Sequence, residues 1–519
     1  MRFCQEGEFE IGGLGLHIML KILGPCAIIF LMEENYGQFK PNNKLISHSL
    51  VLGWAIFIIL FIGSLLLAFG LNITPFLLVS ILLGLIFAYR YTYFCFYLAV
   101  FLLPFLGLTI SIPTGTLMIG ERAFGGSIDL FLGELVLSFV MGAWALKVFF
   151  LWYKRKDKGW ALKLPLVKPY FGLVVAHLLS IFSTYGPDPI LVLKFVLRPV
   201  IFCYMAFVAL PVNLIRSARR LKTVLGIMMV VGTIAAVNGL VSLGVAQASD
   251  SIVPRAQPIA LFGTNPIGEN HNVLAELLLA TGPLTLALGA LVKKRSTRRV
   301  LYALAATQTL VALLTFARTA WLVFLAQIIF LLATEWRAAV KKHLAALFAL
   351  ALLLIPLGLL QLQFSFSQTA QSSNSTRWML TDIAYQSFLE YPWIGSGAGT
   401  SIWQVGSARI FYQEFGDPLD AHGFIQKLAV ETGALGLVAY AVFLVFLILW
   451  AKDNLSGLKG NARLAGFAMV TSAGGAICYQ FLNTAYWSAH MWLPMGIMLA
   501  GLMVLNVREN ENETIFGSD

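Results

Sequence analysis

Lys194 and Arg198 stand four residues apart in the apolar stretch that begins near Pro189, a spacing that projects both side chains from one face of a helix. Arg255 precedes the segment that opens at Asn270-His271-Asn272. Arg318 sits in the turn Phe316-Ala317-Arg318-Thr319-Ala320-Trp321, between two short apolar runs. His422 opens a stretch that runs through Glu431 to Gly433-Ala434-Leu435-Gly436. Ionisable groups in or beside apolar spans are costly unless they face a cavity or a partner, so they mark function. Arg holds phosphate oxygens through paired charge-assisted hydrogen bonds and stays charged near lipid. A neutral imidazole close by is a general base. A lipid-linked diphosphate donor attacked by a hydroxyl acceptor uses both. Each residue also has a plainer reading. Lys194 and Arg198 can snorkel to headgroups, Arg318 can cap carbonyls or hold a lipid phosphate, Arg255 can be a solvated loop charge, and His422 a satisfied polar residue.

The elements that must position these residues are membrane spans. Of the 519 residues 59% are hydrophobic and only 12% charged, and the mean hydropathy is +0.81, which excludes an ordinary soluble chain. Apolar runs long enough to cross a bilayer fall near 46–69, 73–89, 93–112, 128–152, 165–184, 190–214, 223–246, 271–292, 300–316, 320–334, 344–361, 432–451, 464–483 and 488–506. The expected fold is an all-α polytopic membrane protein of about fourteen transmembrane helices.

The net charge of +11 suggests nucleic acid until the cations are sorted. Of the 36 Lys and Arg, 25 fall in alternate loops: Lys40/Lys44, Arg90, Lys154 to Lys168, Arg216 to Lys222, Lys293 to Arg299, Arg337 to Lys342, Lys452 to Arg463 and Arg508. That asymmetry places those loops and the C-terminus in the cytoplasm and accounts for the charge without nucleic acid. The five candidate residues then share the opposite side. Five cysteines (Cys4, Cys26, Cys95, Cys203, Cys478) stand singly without CxxC spacing, so neither a disulfide frame nor a zinc site is expected.

Residues 1–45 form an N-terminal segment whose stretch 14–32 reads either as an interfacial helix or as a further span. Residues 46–361 hold the first eleven spans, and 432–519 the last three with a cytoplasmic tail. Between them, 362–431 is the one long polar excursion. Ser375 to Tyr385 reads as a capped amphipathic helix, ended by Tyr391-Pro392 and the glycine-rich turn Gly395-Ser396-Gly397-Ala398-Gly399. The expected product is a small helical lid over the outer face. In it Arg377 and Arg409, with the aromatic residues, can hold sugar rings, although packing is the expected role of most of those aromatics. His490, with Tyr486 and Trp487, reads first as part of an interfacial belt.

At these residues the sequence resembles the O-antigen ligase and polymerase superfamily, C-type glycosyltransferase-like membrane enzymes of the bacterial envelope. The signature of His, then an amide or hydroxyl residue, then nine residues and Gly-x-x-Gly is matched by His422 and Gly433-Ala434-Leu435-Gly436, with Gly423 as a departure. The Ser-Arg-Thr-Ala turn is matched by Arg318-Thr319-Ala320, with Ala317 in place of Ser. Arg255 through Phe262-Gly263-Thr264-Asn265-Pro266 to Asn272-Val273-Leu274-Ala275 looks like the Arg-containing loop and the helix that follows it.

The resemblance implies a multi-pass protein of the bacterial inner membrane with its active site and its large loop in the periplasm. It implies an inverting transfer, independent of metal or other cofactor, from an undecaprenyl-diphosphate-linked oligosaccharide to a saccharide acceptor, with a chain-length regulator as an accessory partner. Carried over by position, His422 activates the acceptor hydroxyl, and Arg255 and Arg318 hold the diphosphate. Arg198 and Lys194 extend that site, and Arg377 and Arg409 contact glycan. Length and span number favour a polymerase of lipid-linked repeats over a ligase that moves the finished glycan to lipid A core or protein. A transporter would place its charges near the midplane and show related halves, and neither is seen. A metal-dependent oligosaccharyltransferase would need an acidic pair; Asp417 and Asp420 are the nearest approach to one.

Overall fold

In the computed structural model the chain divides into two compact units, Met1–Ile86 and Phe87–Asp519. The structure describes residues 74–113, 117–119, 122–124, 127–153, 162–183, 196–245, 255–260, 264–268, 270–334, 336–337, 356, 359, 368–401, 404, 423–483 and 488–516. The N-terminal segment 1–45, the span expected at 46–69 and nearly all of that expected at 344–361 lie outside them. Of the first unit only the opening of helix α1 (Thr74–Arg90) is described.

In the second unit, α2 (Thr92–Leu102) stops ten residues before the span expected at 93–112 would end. Leu103 still has helical angles, but Pro104 has no N–H to continue the ladder, and beyond it Thr109-Ile110-Ser111-Ile112 alternates in the strand period. The chain forms β1 (Thr109–Pro113), β2 (Leu117–Ile119), β3 (Arg122–Phe124) and β4 (Ser127–Phe131). β1 pairs antiparallel with β4 in the register Thr109↔Phe131 to Pro113↔Ser127, and inside that ladder β2 pairs with β3, Leu117 opposite Phe124. A small nested hairpin thus replaces the end of the expected span.

The other described elements are helical: α3 (Leu132–Tyr153), α4 (Val167–Leu179, closed by the 3₁₀ turn Ser180–Ser183), two π-helical turns (Leu197–Phe202 and Met205–Ala209) that lead into α5 (Leu210–Leu214), α6 (Ala218–Val245), α7 (His271–Leu291), α8 (Arg295–Leu314), α9 (Arg318–Leu332), α10 (Gln368–Glu390), α11 (Phe424–Ser456), α12 (Gly460–Gln480) and α13 (Ala489–Phe516). The chain is an all-α polytopic membrane protein with this one β excursion. Among the described residues five helices (α3, α6, α7, α11 and α13) are long and apolar enough to cross a membrane, or six if Val79–Arg90 and Thr92–Leu102 count together. The spans expected at 165–184, 190–214 and 320–334 are shorter apolar helices, Val167–Ser183, Val200–Leu214 and Arg318–Leu332. In α12 the polar Thr471, Ser472 and Gln480 all turn into the bundle, where protein rather than lipid meets them.

The centre of the bundle is α7. Every residue from Leu274 to Ala290 except Leu286 is buried, against α6, α8, α9, α12 and α13. Small residues let the neighbours approach: a Cβ on Gly289 would lie 2.5 Å from the Tyr302 ring. Pro283 has no N–H to give the carbonyl of Leu279, and the Gln327 side chain of α9 donates to that carbonyl at 3.0 Å. Ser472 of α12 donates to the next carbonyl, Ala280, at 2.6 Å. Interhelical hydrogen bonds of this kind are each worth about 0.6 kcal/mol in a membrane protein.

Candidate active site

The site is built on the ends of helices that converge at one end of the bundle. At the start of α7, Asn270 caps the helix, its side chain accepting from the N–H groups of Asn272 at 3.0 Å and Val273 at 3.1 Å. The segment before it, 255–260, is fastened to α6. Ile259 N–H donates to Asn238 Oδ1 at 3.0 Å, and Gln257 N–H to Ser242 Oγ at 3.0 Å. Ala256 N–H donates to the carbonyl of Leu314, at the end of α8, at 2.9 Å. Arg255 is therefore held at the start of a docked segment, half-buried and within electrostatic reach of His271.

The Arg318 turn is made by Phe316, which takes a left-handed φ of 53°, and by Thr315, whose Oγ1 accepts from Ala317 N–H at 3.3 Å. Ala317 occupies the cap position of α9 and offers no side-chain acceptor. Its methyl lies instead in a buried apolar cluster with Ala256, Leu274, Ala275, Ala320 and Tyr479. The residues beside Arg255 and Arg318, Ala256 and Ala317, thus share one buried apolar floor.

Helix α10 crosses this end. It packs on α11 through its buried Leu380, Ala384 and Ser387, at helical spacing, and the Gln426 side chain of α11 donates to Thr381 Oγ1 at 2.8 Å. The helix starts at Gln368, upstream of the cap expected at Ser375, and ends at Glu390, where Tyr391-Pro392 stops it as expected. Its crossing brings Arg377 to Arg318 and Tyr479. Although Arg377 is exposed over much of its surface, partial desolvation first and the facing Arg318 charge second lower its pKa, opposed by Tyr479. It stays a cation at neutral pH. Two like charges within electrostatic reach of each other are suited to hold an anion. Trp378 and Trp393, where packing was the expected role, are 76% and 77% exposed, and Tyr385 is exposed as well. Helix α10 and the turn after it therefore offer exposed aromatic faces on the same segment as Arg377.

The Gly-x-x-Gly motif is a joint. At Gly433 helix α11 is broken, with φ 62° and ψ −159°, a region open in practice only to glycine. Across the break lies the turn Gly395 to Gly399. Ser396 N–H donates to Val430 O at 2.8 Å, Ala434 N–H to Pro392 O at 2.8 Å, and Leu435 N–H to Trp393 O at 3.1 Å. The same turn meets α4, with Ala398 N–H on Ser180 Oγ at 3.2 Å and Ser183 Oγ on the Gly395 carbonyl. Ala398 also packs on Val196, where the π-helical turn bearing Arg198 begins. Glu431 is buried and accepts from Ser401 Oγ at 2.9 Å, so it serves this joint.

The structure brings Arg255, Arg318 and Arg377 to one end and places Arg198 by its backbone beside the glycine turn. His422, Lys194 and Arg409 lie outside the described residues, as do Asp417 and Asp420; α11 begins two residues after His422, so 424–431 is helical rather than loop. His490 is 3% exposed and not part of a surface belt. Its Nε2 meets the Pro104 carbonyl at 2.9 Å, and its Nδ1 faces Glu276 Oε1 at 3.7 Å. Glu276, 2% exposed, also accepts from Gln480 Nε2 and, at 3.4 Å, from Asn483 Nδ2. The rule that flags charges inside spans also flags Glu276, which sits five residues into α7, but Tyr479 and Gln480 carry no local pattern.

Residues 303–441 match the family model described as O-antigen ligase. That segment contains the Arg318 turn, α10, position 422 and the Gly433 joint, and it begins after Arg198 and Arg255. No curated protein matches the chain.

Proposed function

We propose, from the membership of the O-antigen ligase/polymerase superfamily that the match over residues 303–441 supports, that the chain polymerises undecaprenyl-diphosphate-linked oligosaccharide repeats on the periplasmic side of a bacterial inner membrane. In this reading His422 takes the proton of an acceptor sugar hydroxyl. The freed oxygen attacks the anomeric carbon of the donor from the face opposite the diphosphate, the bond from that carbon to the diphosphate oxygen breaks, and configuration inverts. Arg255 and Arg318 hold the departing diphosphate and offset the charge that develops on it. Preorganised cations acting where charge develops are among the strongest terms in catalysis. Arg377 completes the anion site from the lid, Arg198 and Lys194 line the donor's approach, and Trp378 with Arg409 contacts sugar rings.

The observation that carries this reading is the pairing of Arg377 with Arg318 at the end of the bundle where Arg255 is docked. A lone exposed Arg is commonplace, whereas two arginines within electrostatic reach of each other, supplied by helices from distant parts of the sequence, suit an anionic guest such as a diphosphate. The test is reconstitution. Purified protein with the lipid-linked repeat as its only substrate should yield longer lipid-linked chains.

A ligase is the second reading, favoured by the description of the matching family model. Product formation only after lipid A core or an acceptor protein is added would establish it in place of the polymerase. Both readings share the donor, the site and the inversion.

A further inference from the structure

A second polar site lies at the opposite end of the bundle. A cavity of about 390 Å³ opens between α2, α3 and α5, lined by Tyr89, Thr92, Tyr93, Trp144, Lys147 and Leu214. Lys147 is an ionisable residue inside the span α3. Rather than extending towards water, it folds back to donate to Thr92 Oγ1 at 2.6 Å and sits 5.1 Å from the centre of the Tyr89 ring. Among the described residues it has no carboxylate partner. Arg90 adds its charge nearby. Behind the lining residues Tyr93 and Leu214, Arg220 stacks over the Tyr93 ring at 4.0 Å and donates to the Leu214 carbonyl. Trp144 lines the cavity with a buried Nε1–H that has no acceptor among the described residues. A buried donor without a partner is destabilising, and a guest acceptor removes that cost.

We propose that this cavity binds the phosphate group of an anionic phospholipid. Lys147 in the lining, the charges of Arg90 and Arg220 just behind it, and an unmatched N–H suit an oxyanion. The choice of a lipid over free phosphate follows from the surroundings: Phe149, Phe150, Trp152 and Tyr153 continue from the cavity along the last turns of α3, all exposed, as residues that meet acyl chains and headgroups do. The site is distinct from the catalytic one. Arg220 and Asn238 stand at its two ends on α6, separated by roughly 27 Å at the helical rise. By the charge asymmetry of the loops, the lipid belongs to the cytoplasmic leaflet.

The test uses the full-length protein in detergent, with lipid retention read by native mass spectrometry against phosphatidylglycerol, phosphatidylcholine and inorganic phosphate. The parent should retain phosphatidylglycerol in preference to phosphatidylcholine, and excess inorganic phosphate should leave it in place. Lys147→Gln should weaken retention about fivefold, the worth of one interfacial cation, and Lys147→Arg should restore it. Trp144→Phe should weaken it while keeping the ring. Arg90→Gln, a change on the exposed rim, should also weaken it and remains readable if Lys147→Gln does not fold. Retention equal to that of the parent in folded Lys147→Gln and in Arg90→Gln would overturn the site. Displacement by inorganic phosphate would overturn its assignment to a lipid.

Discussion

Tyr479 donates its hydroxyl to the backbone carbonyl of Asn272 at 2.8 Å, which ties the end of α12 to the first turn of α7. The same ring lies within electrostatic reach of Arg377 above and Glu276 below. Helices far apart in sequence are thereby held in register where the diphosphate is expected to sit.

Tyr479→Phe removes that bond and leaves the packing of the ring. The expected cost in stability is about 1 kcal/mol, read as a small drop in Tm. The glycan-transfer rate should fall more than Tm suggests, because Arg377 loses a fixed neighbour. An unchanged rate would show that the bond serves only folding.

Arg318→Ala should reduce transfer by a factor on the order of 10² to 10³, the usual effect of removing one preorganised stabiliser of developing charge. Arg377→Ala should have a smaller effect, since it acts from the lid. Lys at either position should recover only part of the activity, because a point charge lacks the paired donors of a guanidinium. Rates measured with the lipid-linked donor, alongside thermal unfolding of each variant, check this.

Gly433→Ala should be severely destabilising. The added Cβ would lie 2.6 Å from the carbonyl carbon of Trp393 and 2.6 Å from the nitrogen of Gly395, both backbone, and the φ and ψ at Gly433 alone cost a side chain on the order of 3 kcal/mol. The control is Gly172→Ala in α4, which also faces α11. There the new methyl meets Ala439 Cβ at 3.7 Å, an ordinary contact. It should be tolerated or mildly stabilising by about 0.5–1 kcal/mol. Equal Tm values for the two variants would contradict the joint.

Trp378→Ala should raise KM for the glycan with little change in Tm, because the ring is 76% exposed and holds no core together. A loss of Tm without a change in KM would assign the ring to packing.

Charge and periodicity made the helical membrane fold and the polar end with its Arg residues legible. The rule that a charge beside a span must have a reason singles out Arg255 and Arg318 from residue type alone, whereas Arg377 reads only as a sugar contact in the lid. It equally applies to Glu276 and Lys147, each sitting inside a helix that reads as plain hydrocarbon. The nested hairpin was hidden because Thr109 to Pro113 is apolar enough to read as span. Only Pro104 and the strand-period alternation that follows distinguish it. Tyr479, Gln480 and His490 became visible through contacts across the bundle, which no short stretch of sequence encodes. The Gly433 motif could be read as a match to a signature, but its task, letting the Gly395 turn reach the backbone of α11, belongs to three dimensions.

The most direct test of the proposed mechanism is the transfer rate of purified His422→Ala from a lipid-diphosphate oligosaccharide, with and without EDTA. A folded variant that loses at least about 10²-fold in rate, the lower range for a general base, beside a parent that EDTA leaves fully active, is the predicted result. Full activity in His422→Ala would remove the base, and loss of the parent's activity in EDTA would contradict a diphosphate held by arginine alone.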